Sequence, residues 1–324
     1  MAAPGGRAIL VLALAMGLPL ATPSLGASGG LEAVHLSFSV KHDGWVSPYP
    51  VLGIFVSPAS EVSLEVEAGD DAGSFRLATE AGQLIESSER RWRWQAPTQH
   101  GLYSIRLVRL STAEVMQLNV FVLVPLEAVK DEHLNGYRIG RYPRTPLKGL
   151  KIYAPPAGLV EVTSANSRTP VSPHFTLDQF VCKQDGGYPK YLILRERLVL
   201  KLELLLEEVN RRGYRCDTFH VMSGYRTPHY NKAIGNVRYS RHVWGGAADV
   251  FIDENPRDGN MDDLNGDGRI DLRDAAVLYD IIDDLYGRPW YAPFIGGLAR
   301  YRKTRAHGPF VHVDVRGFHA RWGH

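Results

Sequence analysis

Met116, Leu118, Val120, Val122 and Val124 place an apolar side chain at every second position. Strand side chains alternate between two faces, so such a row buries one face of a sheet and leaves the other polar. A helical stripe needs spacings of three and four, which this row does not have. Shorter runs repeat the pattern at Leu36, Phe38 and Val40 and at Val62, Leu64 and Val66. Turn signals separate them: Asp43-Gly44, Gly69-Asp70-Asp71 and His100-Gly101. Short alternating strands at this spacing predict an all-β sandwich over residues 30–125.

Within that region, Trp92-Arg93-Trp94-Gln95-Ala96-Pro97 followed by Gly101-Leu102-Tyr103-Ser104-Ile105 resembles the late strands of an immunoglobulin-like domain. The resemblance implies an immunoglobulin-like sandwich. No nucleophile or metal-ligand cluster falls there, so the region reads as a spacer or binding module. Ahead of it, Arg7 precedes the apolar run Ala8–Leu20, and small residues follow from Ala21 to Ala27. This is the pattern of a secretory signal peptide over residues 1–27. The run is short for a membrane span, and no Cys follows it to carry a lipid. The expectation is an exported, periplasmic protein without stable membrane insertion. With 37 Lys+Arg against 35 Asp+Glu, the net charge of +2 offers no basic field for nucleic acid.

The 324 residues suffice for two domains. Residues 126–172 are rich in Pro, Gly, Arg and Tyr without a clear period, and read as an extended connector that wraps a second domain over 173–324. There Thr176 is placed to cap a short helix over Leu177–Cys182. Leu194, Leu198, Leu202, Leu205 and Val209 predict a long helix over Tyr191–Arg212, ended by Gly213. Strand-like runs follow at Thr218–Met222, Ala247–Ile252 and Phe310–Val315. One helix and separated strands suggest an α+β domain around a small, largely antiparallel sheet. Cys182 and Cys216, an even pair in an exported chain, are expected to form a disulfide.

The chemistry concentrates in Ser240-Arg241-His242-Val243-Trp244-Gly245-Gly246-Ala247-Ala248-Asp249, which reads S-x-H-x-x-G-x-A-x-D. Imidazole nitrogen and carboxylate oxygen are both good zinc ligands. The strand Phe310-Val311-His312-Val313-Asp314-Val315 supplies a second imidazole, with Asp314 on the same face. Two His and one carboxylate leave a fourth position for water, the arrangement of a catalytic zinc site. Taken alone, H-x6-D is weak. In order with Ser223-Gly224-Tyr225-Arg226-Thr227-Pro228, these segments resemble the zinc D-Ala-D-Ala peptidase family, whose fold is shared with lysostaphin-type peptidases and the hedgehog signalling domain. The resemblance runs from about Ser172 to the C-terminus. It implies His242, Asp249 and His312 as zinc ligands, Arg226 facing the cleft as a clamp for a substrate carboxylate or carbonyl, and peptidoglycan peptides as substrate. The best-known members carry a Glu or Asp general base three residues before the last His ligand. Here that position is Pro309, which leaves Asp314 and His307 as the nearest ionisable candidates.

A second metal motif lies inside an insertion at about residues 254–287. Asp263-Leu264-Asn265-Gly266-Asp267-Gly268-Arg269-Ile270-Asp271-Leu272-Arg273-Asp274 matches the twelve-residue EF-hand calcium loop. Oxygen ligands fall on Asp263, Asn265, Asp267, Asp271 and Asp274, with the Arg269 carbonyl at position seven. The closing Asp in place of Glu is similar to dockerin-type repeats. An apolar helix pattern follows at Ala275, Leu278, Ile282 and Leu285. The cofactors expected are Zn2+ and Ca2+. The leading reading is a zinc peptidase of peptidoglycan stem peptides or crosslinks; the rival is a non-catalytic peptidoglycan-binding protein that keeps the metal cleft.

Overall fold

The computed structural model describes residues 34–69 and 73–323. The signal peptide expected over residues 1–27 and the turn signal expected at Asp70-Asp71 lie outside these residues. Leu31–His324 forms one compact unit. It is a mixed α/β structure with several small sheets and few helices.

The N-terminal region builds two sheets. One has five strands, spatially ordered Trp45–Ser47, Ser39–His42, Glu61–Glu67, Arg91–Gln95 and Gln83–Ser87, all antiparallel. The other orders Val51–Val56, Val115–Val122, Gly101–Arg109 and Phe75–Thr79, with Val51–Val56 parallel to Val115–Val122. The alternation expected from the sequence is realised: Val62, Leu64 and Val66 of one sheet and Met116, Leu118 and Val120 of the other are buried in a common core. Trp94 is fully buried, and its indole Nε1 donates to the Ala81 carbonyl at 2.9 Å.

The long helix spans Glu196–Arg211, five residues later than the apolar spacing suggested at its start. Tyr191 and Leu192 instead belong to a short strand, Lys190–Leu192, laddered against Gly158–Val162. Their apolar side chains fit a strand as well as a helix, and the partner strand decided between them. Lys201 and Glu203 are buried in it along with Leu198, Leu202 and Leu205. Several elements pack around it, including Val51–Val56 of the N-terminal sheet and the helix Leu272–Asp283. Glu196 Oε1 accepts from Phe55 N at 3.0 Å, and Glu207 Oε1 accepts from Tyr49 OH at 2.6 Å. Cys182 and Cys216 are buried, free thiols, which corrects the expected disulfide. The Cys216 thiol already donates to the Thr218 carbonyl at 3.2 Å.

The C-terminal sheet orders His220–Ser223, Ala247–Phe251, Phe310–Asp314, Gly297–Tyr301 and Ala320–Trp322. The first four are mutually antiparallel and the last runs parallel to Gly297–Tyr301. The two final partners, Gly297–Tyr301 and Ala320–Trp322, were not foreseen, since neither has enough apolar alternation to stand out.

Candidate metal centre

Strand register builds the site. Asp249 and His312 are direct cross-strand partners on the central strands, so their side chains leave the same face side by side. His242 comes from the turn before the Asp249 strand, on a 3-10 segment, Arg241–Trp244. Gly245 ends that segment at φ +61°, and a Cβ there would stand 2.2 Å from the Ile193 carbonyl oxygen. Only glycine permits this turn, which brings the imidazole back over the sheet. Arg226 N donates to the His242 carbonyl at 3.2 Å, tying the Ser223–Pro228 segment to the same corner.

Three atoms converge. His242 Nε2 lies 3.2 Å from Asp249 Oδ1 and 3.2 Å from His312 Nδ1, and His312 Nδ1 lies 2.8 Å from Asp249 Oδ1. The outer partners fix the tautomers. His242 Nδ1 faces the Gly224 carbonyl at 2.7 Å, which can only accept, so Nδ1 carries the hydrogen and a neutral ring presents the Nε2 lone pair. His312 Nε2 donates to Asp314 Oδ2 at 3.2 Å, which turns Nδ1 inward. With a neutral His312 protonated on Nε2, two imidazole lone pairs and a carboxylate oxygen face one point, a donor set that fits a cation. A tetrahedral ion with bonds of about 2.0–2.1 Å spaces its ligands by roughly 3.3–3.4 Å, close to the distances found here. Among the described residues this is the one cluster of three potential His, Cys, Asp or Glu ligands, and all three are buried.

The electrostatics suit the same role. Burial pushes the His242 imidazole down, favouring the neutral ligand form. Burial alone would push the Asp249 carboxyl up, but His242 and His312 reverse this and hold it well below its usual range. Burial also opposes a charged His312, yet its hydrogen bonds to Asp249 and Asp314 raise it overall. His312 is thus the member of the cluster that most readily keeps a proton.

The surrounding residues depart from expectation. Asp314 is fully buried on the side of His312 away from the converging atoms, held by Arg316 and by Gly297 N at 2.8 Å. The sequence placed it beside the metal; the structure puts it behind the ligand, a carboxylate that orients an imidazole. Arg226 does line the cleft, but Nε donates to Ser223 Oγ at 2.8 Å and Nη2 to Asp249 Oδ2. Its paired donors are taken up by Ser223 and Asp249 rather than standing open as a clamp. His307 lines the cleft, with Nδ1 donating to the Gly308 carbonyl at 2.8 Å and Nε2 left as acceptor. The cleft has a volume of about 490 Å³. Tyr153, Tyr239, Tyr301, Arg316 and Trp322 also line it, none of which the sequence singled out. They come from separate segments, and no local spacing links them.

The Asp263–Asp274 loop is compact but does not gather three carboxylates to one point. Asp263 accepts from Gly266, Asp267 and Gly268 N. Asn265 Oδ1 accepts from Asp267 N, and Asp267 pairs with Arg273 at 2.9 Å. Asp271 caps the helix Leu272–Asp283, and buried Asp274 completes a capping box with it.

Residues 173–261 match the family model described as Peptidase M15. The matched segment contains Arg226, His242 and Asp249 and stops short of His312. No curated protein matches the chain.

Proposed function

We propose that this chain is a zinc-dependent peptidase acting on the peptide part of peptidoglycan. The observation that carries the reading is the convergence of His242 Nε2, Asp249 Oδ1 and His312 Nδ1 at an open cleft. The similarity of residues 173–261 to M15 peptidases supports it independently. Zinc, when bound, supplies an acidified water and Lewis-acid polarisation of a carbonyl. The chain's own residues do the rest. Arg226 holds Asp249 Oδ2 and so aims Oδ1; Asp314 holds the Nε2–H of His312 and so aims Nδ1. Among the described residues, His307 is the one cleft-lining imidazole outside the ligand set. Its Nε2 can take a proton in the cleft and return it to the leaving amine. The exported location expected from residues 1–27 fits such a substrate.

Purified peptidoglycan digested with the zinc-loaded mature protein should release new peptide fragments on mass analysis. His307→Gln should keep the zinc and lose about 10²–10⁴-fold in rate. Undiminished activity in His307→Gln would remove it as the base. A non-catalytic peptidoglycan-binding role is the second reading, favoured by the absence of any carboxylate other than Asp249 from the described cleft lining. Binding without fragments would select it.

We also propose calcium at the Asp263–Asp274 loop, on the strength of its ligand spacing. Calcium should raise the melting temperature by binding the folded chain alone. Affinity should lie near roughly 0.1–1 mM, as in extracellular modules. Asp263→Ala with Asp267→Ala should abolish the shift at fixed zinc; an equal shift in both proteins would place the ion elsewhere.

A further inference from the structure

Strand register puts Tyr301 on the face that carries the metal cluster. Tyr301 pairs with Phe310 and Ala299 with His312, while His312 pairs with Asp249 on its other side. Cross-strand partners leave a sheet on the same face, and so do residues two apart along one strand. Tyr301 is therefore a diagonal neighbour of His312. Such neighbours stand roughly 7–8 Å apart, within reach of an aromatic side chain. Tyr301, Asp249 and His312 all line the cleft, and Tyr301 is half-buried rather than sealed in.

Its hydroxyl is held in one sense. Trp322, on the C-terminal strand Ala320–Trp322, donates from Nε1 to the Tyr301 oxygen at 2.7 Å. An indole N–H can only donate, so the phenol oxygen accepts there and its own hydrogen points elsewhere. Among the described residues nothing accepts that hydrogen. Burial holds the phenol above its ordinary range despite the Trp322 bond, so the hydroxyl keeps its proton; Asp249 adds to the shift and Arg226 opposes it. The ring is fixed as well, stacked on Phe310 with centres 4.7 Å apart. Phe310 also packs against His307 at 5.0 Å, so one side chain steadies both the hydroxyl and the imidazole. Other cleft donors are already occupied. Arg226 is bonded to Ser223 and Asp249, Arg316 to Asp314, and the Tyr239 hydroxyl to the Thr145 carbonyl.

We propose that Tyr301 is a catalytic residue, its O–H donating to the carbonyl oxygen of the scissile peptide bond as negative charge builds there. The inference rests on the peptidase reading and deepens it. As a water oxygen bonds to the carbonyl carbon, one water proton passes to His307 Nε2 and the π pair moves onto the carbonyl oxygen. The pair then returns, the C–N bond breaks, and the proton on His307 goes to the leaving amine. Tyr301 keeps its proton throughout. A fixed donor aimed where charge develops acts most strongly in the transition state.

Tyr301→Phe tests this, because it keeps the stacked ring and removes only the hydroxyl. The substrate is muropeptides prepared from purified peptidoglycan, with zinc-loaded mature protein. The variant should lose about 10²–10³-fold in kcat with KM within about twofold of the parent. Zinc content and melting temperature should not change. A phosphinate version of the peptide that the parent cleaves carries a tetrahedral, charged centre. Calorimetry should show its binding weakened in the variant by a factor similar to the loss in kcat, with affinity for the uncleaved peptide kept. Trp322→Phe, which frees the hydroxyl to turn, should fall between parent and Tyr301→Phe, and decides the matter should Tyr301→Phe fail to fold. Full kcat in Tyr301→Phe, a change in KM alone, or a loss of rate that only follows loss of zinc overturns the proposal and leaves the peptidase reading standing. No cleavage by the parent defeats that reading and the proposal with it.

Discussion

His242→Ala is expected to leave the protein without stoichiometric zinc and to bring the proposed peptidase activity to background. His312→Ala should do the same. Each change removes one of three atoms that lie within 3.2 Å of one another, and two ligands do not hold zinc at the stringency of three. Neither side chain supports the N-terminal sheets, so the cooperative unfolding signal of the Trp94 core should persist. Asp314→Asn should act more weakly. It can still accept from His312 Nε2, but its charge is lost, and such outer partners are worth about 10–100-fold in metal affinity or activity. Metal analysis after dialysis against a weak chelator ranks the series. Full zinc occupancy in both His variants would place the metal elsewhere, and an Asp314→Asn protein weaker than His242→Ala would make Asp314 more than an orienting group.

The second large effect concerns Lys201. Its side chain reaches the strand Phe310–Asp314, with Nζ donating to the Asp314 carbonyl at 2.8 Å and standing 5.4 Å from the Tyr291 ring centre. Burial pushes the ammonium down from 10.5 to about 7. Between those values the unfolded chain holds a proton that the folded chain does not, so stability should rise with pH from about 7 to 10.5. Below pH 7 both states are charged and the burial penalty is fully felt. Lys201→Met has no such proton. Relative to the parent it should be most favoured at pH 6 and lose ground by up to about 1.4 kcal/mol per pH unit above 7. Denaturant titrations at pH 6, 7.5 and 9 measure the difference. Parallel pH profiles for parent and variant would mean that Lys201 stays protonated in the fold. The site strand is therefore anchored by an amine whose charge is uncomfortable at neutral pH.

Much of this protein was legible because its signals are local. Alternation at Val62–Val66 and Met116–Val124 follows directly from the two faces of a strand, and both rows are buried as that pattern requires. The convergence of His242, Asp249 and His312 was legible for the same reason. A His, two glycines for a turn and an Asp at fixed spacing encode one corner of the site, and His312 sits on a strand of its own. What the sequence could not carry is anything decided by which strand lies next to which. Tyr191 and Leu192 suit a helix or a strand, and the ladder with Gly158–Val162 made them a strand. Cys182 and Cys216 are an even pair by count, but pairing depends on where two backbones meet, and here both thiols are free. Asp314 shares a strand face with His312, as its position two residues on dictates. Only the orientation of the His312 ring, with Nδ1 toward Asp249 and Nε2 toward Asp314, put it behind His312 instead of beside the converging atoms. Arg226 and Arg316 look alike in sequence. Tertiary structure separated them, because a guanidinium's role is set by the acceptors folded against it: Arg226 holds Asp249 and Arg316 holds Asp314.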